Sequence, residues 1–178
     1  MKYFAFLRAI NVGGHTVKLD LLKKLFEKMN FENVETFIAS GNVLFETKSK
    51  NIKAIKTKIE TELKKSLGYD ISTFIRTTNE LKEISEYKPF KKTDLENEYN
   101  SLYIAFLENH PSKENLLKTH KLQDDYNEFH FNKDEMYWLC RKNFSDSGIT
   151  GNKLEKALGM NLTVRNSTTI LKMTNKFL

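Results

Sequence analysis

What most narrows the fold is a change of hydrophobic period, repeated in one order along residues 2–76. Residues 2–10 carry apolar side chains on both alternating faces, Tyr3, Ala5 and Leu7 on one, Phe4, Phe6 and Ile10 on the other. That pattern predicts a strand covered on both sides. Leu19, Leu22, Phe26 and Met29 then recur at helical spacing with Lys23, Lys24, Glu27 and Lys28 between them, the signature of an amphipathic helix. Residues 34–39 and 43–47 read as strands about Ser40-Gly41-Asn42, a trio suited to a hairpin turn. Ile52, Ile55, Ile59 and Leu63 form a second helical stripe closed by Gly68, and residues 71–76 are strand-like again. The order is β-α-β-β-α-β, so the first part of the chain is expected to be a ferredoxin-like antiparallel sheet with two helices.

Thr77-Thr78-Asn79-Glu80 has the spacing of a capping box, which predicts a further helix ending before Pro89. Residues 88–100 hold little apolar material, placing a linker at 89–99 between a domain at 1–88 and another at 100–178. A length of 178 residues suits two compact domains. In the second, Leu102, Ile104 and Phe106 alternate as a strand, and Pro111 fits the first turn of a helix leading to Leu116 and Leu117. Residues 126–131 and 135–141 flank Asn132-Lys133-Asp134 as a hairpin, with Phe129 opposite Trp138 and Phe131 opposite Met136. Residues 151–158 and 166–177 read as helices. The second domain is thus a related α+β unit with an antiparallel sheet.

Composition removes several classes of function. A hydrophobic fraction of 39%, with 13 Phe and 7 Tyr, is that of a folding chain. The single cysteine, Cys140, excludes an intrachain disulfide and a cysteine-rich zinc site and suits a reducing, cytoplasmic setting. No apolar run is long enough to span a bilayer, and the one at the N-terminus is interrupted by Arg8 before it reaches the length of a signal sequence. His15, His110, His120 and His130 show no metal-binding spacing, so no metal is expected. Cys140 shares a strand face with Phe129 rather than His130 and reads as core. No phosphate-loop or dinucleotide motif is present, so no cofactor is expected. The net charge of +6 suits either a polyanionic partner or lysine-rich solvated faces, such as the seven lysines between Lys48 and Lys65.

In the β-α-β-β-α-β plan the end of the first strand meets the hairpin between the second and third. Arg8, Asn11, Gly13 and Gly14 should therefore lie beside Ser40, Gly41 and Asn42, with Lys18 at the start of the first helix. Such a corner can hold a small phosphate- or carboxylate-bearing ligand on backbone N–H groups and a cation. The same residues also serve as plain turns, with the asparagines bonding local backbone. Two other classes stay open. One is RNA binding on the sheet face through Phe4, Phe6 and Phe45, although residues 43–47 lack the RNA-recognition pattern and so apolar a face is more simply buried. The other is a structural or oligomerisation role without a ligand. The pattern carries no signature of an oligomeric state or of a catalytic constellation.

The segments Leu7-Arg8-Ala9-Ile10-Asn11-Val12-Gly13-Gly14 and Ser40-Gly41-Asn42-Val43-Leu44-Phe45 resemble the bacterial domain-of-unknown-function 1697 family. Asn79-Glu80-Leu81 to Pro89-Phe90, and Thr163-Val164-Arg165-Asn166 with Thr169, extend the resemblance along the chain. It implies two ferredoxin-like units and no known activity, and it adds Arg165 and Asn166 as candidate partners of the first-domain corner. The chain departs from the family pattern at Ala9, where glycine is expected, at Ala39, where glutamine is common, and at Ser167, where tryptophan is common.

Overall fold

The computed structural model describes every residue except Val12, His15, Ala39 and Ser40. The chain divides into two compact units, Met1–Glu83 together with Leu178, and Ile84–Phe177. The first contains β1 (Lys2–Leu7), α1 (Leu19–Lys28), β2 (Glu32–Phe37), β3 (Asn42–Glu46), α2 (Ile52–Leu67), β4 (Thr73–Thr77) and most of α3 (Thr78–Glu86). Its strands form an antiparallel sheet of order β2-β3-β1-β4.

Alternation along β1 produces two buried faces. Tyr3, Ala5 and Leu7 join Val43 and Phe45 in a core that also holds Leu22, Leu25 and Phe26 of α1 and Ile55, Ile59 and Leu63 of α2. Each of the larger aliphatic and phenylalanine side chains contributes roughly 1.5–3 kcal/mol by leaving water. Tyr3 stacks on Phe45 at 5.8 Å, and Phe31 meets the same ring at 4.5 Å. Phe4, Phe6 and Leu44, on the other face, are buried as well, as is Leu81 of α3. Caps set the helix ends. The Asn51 side chain accepts from the Ala54 N–H, and Gly68 closes α2 in a left-handed conformation at φ +87°. At α3 the capping box forms as its spacing predicts, Thr77 N–H donating to Glu80 Oε2 at 2.7 Å and Glu80 N–H to Thr77 Oγ1 at 3.3 Å.

The second unit contains α4 (Lys92–Leu95), β5 (Ser101–Leu107), α5 (Lys113–His120), β6 (Asn127–Asn132), β7 (Glu135–Cys140), a 3-10 turn at Phe144–Asp146, α6 (Gly151–Leu158), β8 (Leu162–Asn166) and α7 (Ser167–Phe177). Its sheet order is β6-β7-β5-β8. Strand for strand this repeats the first unit, and the registers correspond. Tyr3 lies between Phe45 and Thr77, and Tyr103 between Trp138 and Asn166. Tyr103 and Trp138 form the equivalent ring pair at 5.3 Å. Arg76 stands opposite Phe4, and Arg165 opposite Ile104. In both, Nη1 donates to the carbonyl of the preceding residue at 2.8 Å.

Three particulars differ from the sequence reading. Residues 162–166 form β8, the edge strand of the second sheet, which the periodicity did not reveal. Residues 89–99, expected to be a linker, contain α4 and group with the second unit, where Asp94 Oδ2 lies 3.5 Å from Arg141 and the Asn100 side chain donates to the Asp94 carbonyl. Pro111 precedes α5 rather than occupying its first turn, because Ser112 takes the N-cap and accepts from the Asn115 N–H.

The hairpin register matches expectation, with Phe129 opposite Trp138 and Phe131 opposite Met136. Cys140 is fully buried in the helix-side core of this unit, with Phe129 and Trp138, and its thiol donates to the Lys142 carbonyl. It should therefore resist a thiol reagent in the native protein and react fully on unfolding. Labelling at equal rates in buffer and in denaturant would contradict this placement.

Candidate functional site

The two loops expected to meet do meet. At the end of β1 the Leu7 N–H donates to the Gly41 carbonyl at 2.8 Å, and the Arg8 N–H donates to Ser72 O at 2.9 Å. Gly41 packs so closely that a Cβ built on it would stand 2.7 Å from Ile10 Cγ2 and 3.1 Å from Leu7 Cβ. Its φ of +74° adds a second requirement for glycine. Asn11 Oδ1 accepts from the Val17 N–H at 2.7 Å, closing the loop that leads into α1. Tyr69, which the sequence reading missed, reaches across to donate its hydroxyl to the Ile10 carbonyl at 2.8 Å. Burial pushes this phenol up from its ordinary pKa.

The expected site residues separate into different duties. Arg8 is half-buried, and Asn11, Gly13, Gly14 and Lys18 are exposed, Lys18 standing at the N-cap of α1 without a side-chain cap bond. Gly13 and Gly14 both take positive φ, with nothing within 4 Å of a Cβ built on either. Asn42 is fully buried and donates to the Phe37 carbonyl, so its side chain holds the hairpin. Ser40 lies outside the described residues. Arg165 and Asn166 belong to the second unit. The Arg165 side chain is buried and donates to Thr163 Oγ1 at 2.7 Å, and desolvation pushes its pKa down to about 10. Asn166 Oδ1 accepts from the N–H and hydroxyl of Thr168 at the start of α7.

Phe45 does not share a face with Phe4 and Phe6. It sits in the helix-side core against Phe26 at 5.6 Å, and all three rings are fully buried, so none presents a surface on which a base could stack. Among the described residues no three of His, Cys, Asp and Glu gather where a metal ion could be held. No helix there is long and apolar enough to cross a membrane.

A family model described as "Protein of unknown function (DUF1697)" matches residues 1–137. The chain belongs to the DUF1697 family. The matched span runs from before β1 into β7 and includes both loops of the corner. No functionally curated protein matches the chain. Among solved structures, a conserved bacterial protein from Streptococcus pneumoniae resembles this DUF1697 member at a TM-score of 0.77 and 19% identity, over 98% of this chain and 97% of that one. At that identity the likeness speaks for the fold alone.

Backbone strain marks the same corner. Ala9 has φ +57° and Ile38, a β-branched residue at the end of the hairpin, φ +59°. The first falls where the family pattern expects glycine, the residue that takes this conformation without a Cβ clash. Ala9→Gly is therefore predicted to raise stability by about 0.5–1 kcal/mol. Gly41→Ala, which meets both a clash and an unfavourable φ, should cost about 2 kcal/mol or more. Gly13→Ala, with open space around it, should cost about 1 kcal/mol. Chemical denaturation of the three variants checks the order, and equal losses at Gly41 and Gly13 would contradict the packing described.

Proposed function

We propose that the protein binds a small phosphate- or carboxylate-bearing ligand at the corner formed by the β1–α1 loop and the β2–β3 hairpin. The observation that carries this reading is internal to the chain. Both units close the same corner in the same way, Leu107 N–H donating to Asp134 O at 2.9 Å as Leu7 N–H donates to Gly41 O. The connection that follows differs. In the second unit residues 108–112 link strand to helix, and His110 Nδ1 lies 2.7 Å from the Lys133 carbonyl, tying the loop to the hairpin. In the first unit residues 8–18 make the same connection, more than twice the length, with two exposed glycines and the cations Arg8 and Lys18. A loop lengthened beyond what its fold requires is where function is usually built.

Charge favours an anion at this place. Residues 1–83 carry 15 Lys and Arg against 10 Asp and Glu, whereas residues 84–177 carry 14 against 13. The positive balance of the chain thus belongs mainly to the unit that bears the long loop. Backbone N–H groups beside glycine are open to an oxyanion, and a guanidinium adds a charge-assisted hydrogen bond. This is a binding reading, in which the corner supplies capture and no reaction.

Thermal-shift titration with inorganic phosphate, mononucleotides and small carboxylates tests it. At least one of these should raise Tm in a saturable way, and Arg8→Ala should weaken that ligand by about 1–3 kcal/mol while the unliganded protein keeps its fold. If none of the anions stabilises the wild type, or if Arg8→Ala responds as the wild type does, the reading fails.

A further inference from the structure

All three exposed Phe, Tyr or Trp side chains among the described residues lie at one end of the second sheet. Tyr99 precedes β5, Tyr126 precedes β6 and Phe144 follows β7. The registers bring these points together, because Cys140 is opposite both Ser101 and Asn127, and the Arg141 N–H donates to the Tyr126 carbonyl at 2.8 Å. A hollow of about 450 Å³ opens here, lined by Tyr99, Tyr103 and Phe144 with Ser101, Arg141 and Asn143. That volume is within the range of small-molecule sites.

The matching end of the first unit is closed. There the Tyr3 hydroxyl donates to the Ser49 carbonyl at 3.1 Å and the Thr78 hydroxyl to the Lys2 carbonyl at 3.3 Å. Tyr103 occupies the position of Tyr3, but its hydroxyl has no hydrogen-bond partner among the described residues. The floor is built of packed rings: Phe144 lies 4.8 Å from Tyr103 and 5.3 Å from Trp138, which is itself buried and donates its indole N–H to Asn127. Tyr99, 76% exposed, stands over solvent.

Chemistry of the lining selects the occupant. Aromatic faces call for a planar ring, and the hydroxyl and amide of Ser101 and Asn143 call for polar edges on that ring. Charge argues against a polyanion. Arg141 is held 2.6 Å from Glu128 and 3.5 Å from Asp94, the Lys142 ammonium sits 4.0 Å over the Tyr126 ring, and Glu98 also borders the hollow. Beyond Ser101, which lines both, a cleft of about 270 Å³ is bordered by Asn100, Asn166 and Thr168, groups that pair with hydroxyls. We propose that this end of the second unit binds a nucleoside, its base stacked on Tyr99 and Phe144 and its sugar directed into the cleft beyond Ser101. The site is separate from the anion corner of the first unit and does not depend on it.

Trp138, the single tryptophan, reports on the floor of the hollow. The full chain is titrated with adenosine, guanosine, cytidine and uridine, following Trp138 emission and, independently, equilibrium dialysis, with inorganic phosphate as a control. At least one nucleoside should produce a saturable change by both readouts, and phosphate none in Trp138 emission. Tyr99→Ala, which removes an exposed ring without touching Trp138, should weaken binding roughly tenfold while the circular dichroism and Tm stay those of the wild type. Phe144→Ala should do the same by dialysis. Absence of saturable nucleoside binding, binding unchanged in Tyr99→Ala, or binding of a short oligonucleotide but of no nucleoside would each overturn the proposal. Because adenosine carries no anionic group, its result is read separately from the phosphate titration of the first unit.

Discussion

A central strand buried on both faces has to find hydrogen-bond partners on both edges, since a peptide group left unpaired away from water costs as much as a lost hydrogen bond. β1 is such a strand, its last five residues all buried, and it is satisfied by β3 on one edge and β4 on the other. Both partners come later in the chain. The chain must therefore return twice to the first strand it makes, and the two helices that carry it back cover the same face. β5 imposes the same order on the second unit through β7 and β8. Tyr3 against Phe45 and Tyr103 against Trp138 are the side-chain counterpart of that pairing, placed at the same register in both sheets.

This requirement also locates the loops. Once the central strand is paired on both edges, its end lies beside the turn of the adjoining hairpin, and the backbone bond from Leu7 to Gly41, or from Leu107 to Asp134, sets how near they come. The approach in the first unit is close enough to exclude any side chain at Gly41. Ala9 and Ile38, both at positive φ, show further strain near that junction. Strain of this sort persists only where surrounding packing over-determines the backbone, and here Leu7 and Ile10 supply buried anchors on either side of Ala9.

Much of the architecture was legible because different signals agreed. Period-two and helical patterns alternated cleanly through residues 2–76, the capping box at Thr77 and the glycine at position 68 marked helix ends, and aromatic pairs set the register of the second hairpin. β8 was hidden because it is only five residues long, with Leu162 and Val164 as its apolar alternates, too short a run for a period-two pattern to stand out, and because Thr163 and Arg165 are polar residues that the fold buries. The 89–99 segment reads as a linker because it is held by scattered contacts, Asp94 to Arg141 and to the neighbouring Asn100, and the Phe90 ring to His130, which leave no hydrophobic period. For the corner, the sequence could place Gly13, Gly14 and Gly41 in turns, but that Asn42 faces inward and that Tyr69 braces Ile10 depends on tertiary contacts between residues far apart in the chain. Phe45 was assigned to the wrong face because its strand carries apolar residues on both sides, which removes the contrast that alternation needs.

The duplication itself escapes a search for short repeats, since Tyr3 and Tyr103, or Arg76 and Arg165, are separated by about the length of a whole unit. Its physical content lies in what the two copies share and where they part. They share the paired central strand, the ring pair, the arginine bonded to the carbonyl of the residue before it and the closing bond to the hairpin, all of which serve the sheet. They part at the loops, long and glycine-bearing at one end of the first sheet, hollow and aromatic at the opposite end of the second. A scaffold built twice by the same pairing rule constrains its core positions in both copies but leaves the strand ends free to differ. The exposed edge of Phe144, or the exposed Gly13 and Gly14 in eleven residues where five suffice, adds nothing to strand pairing or to the core. Such features call for an explanation outside folding, and recognition of a ligand provides one.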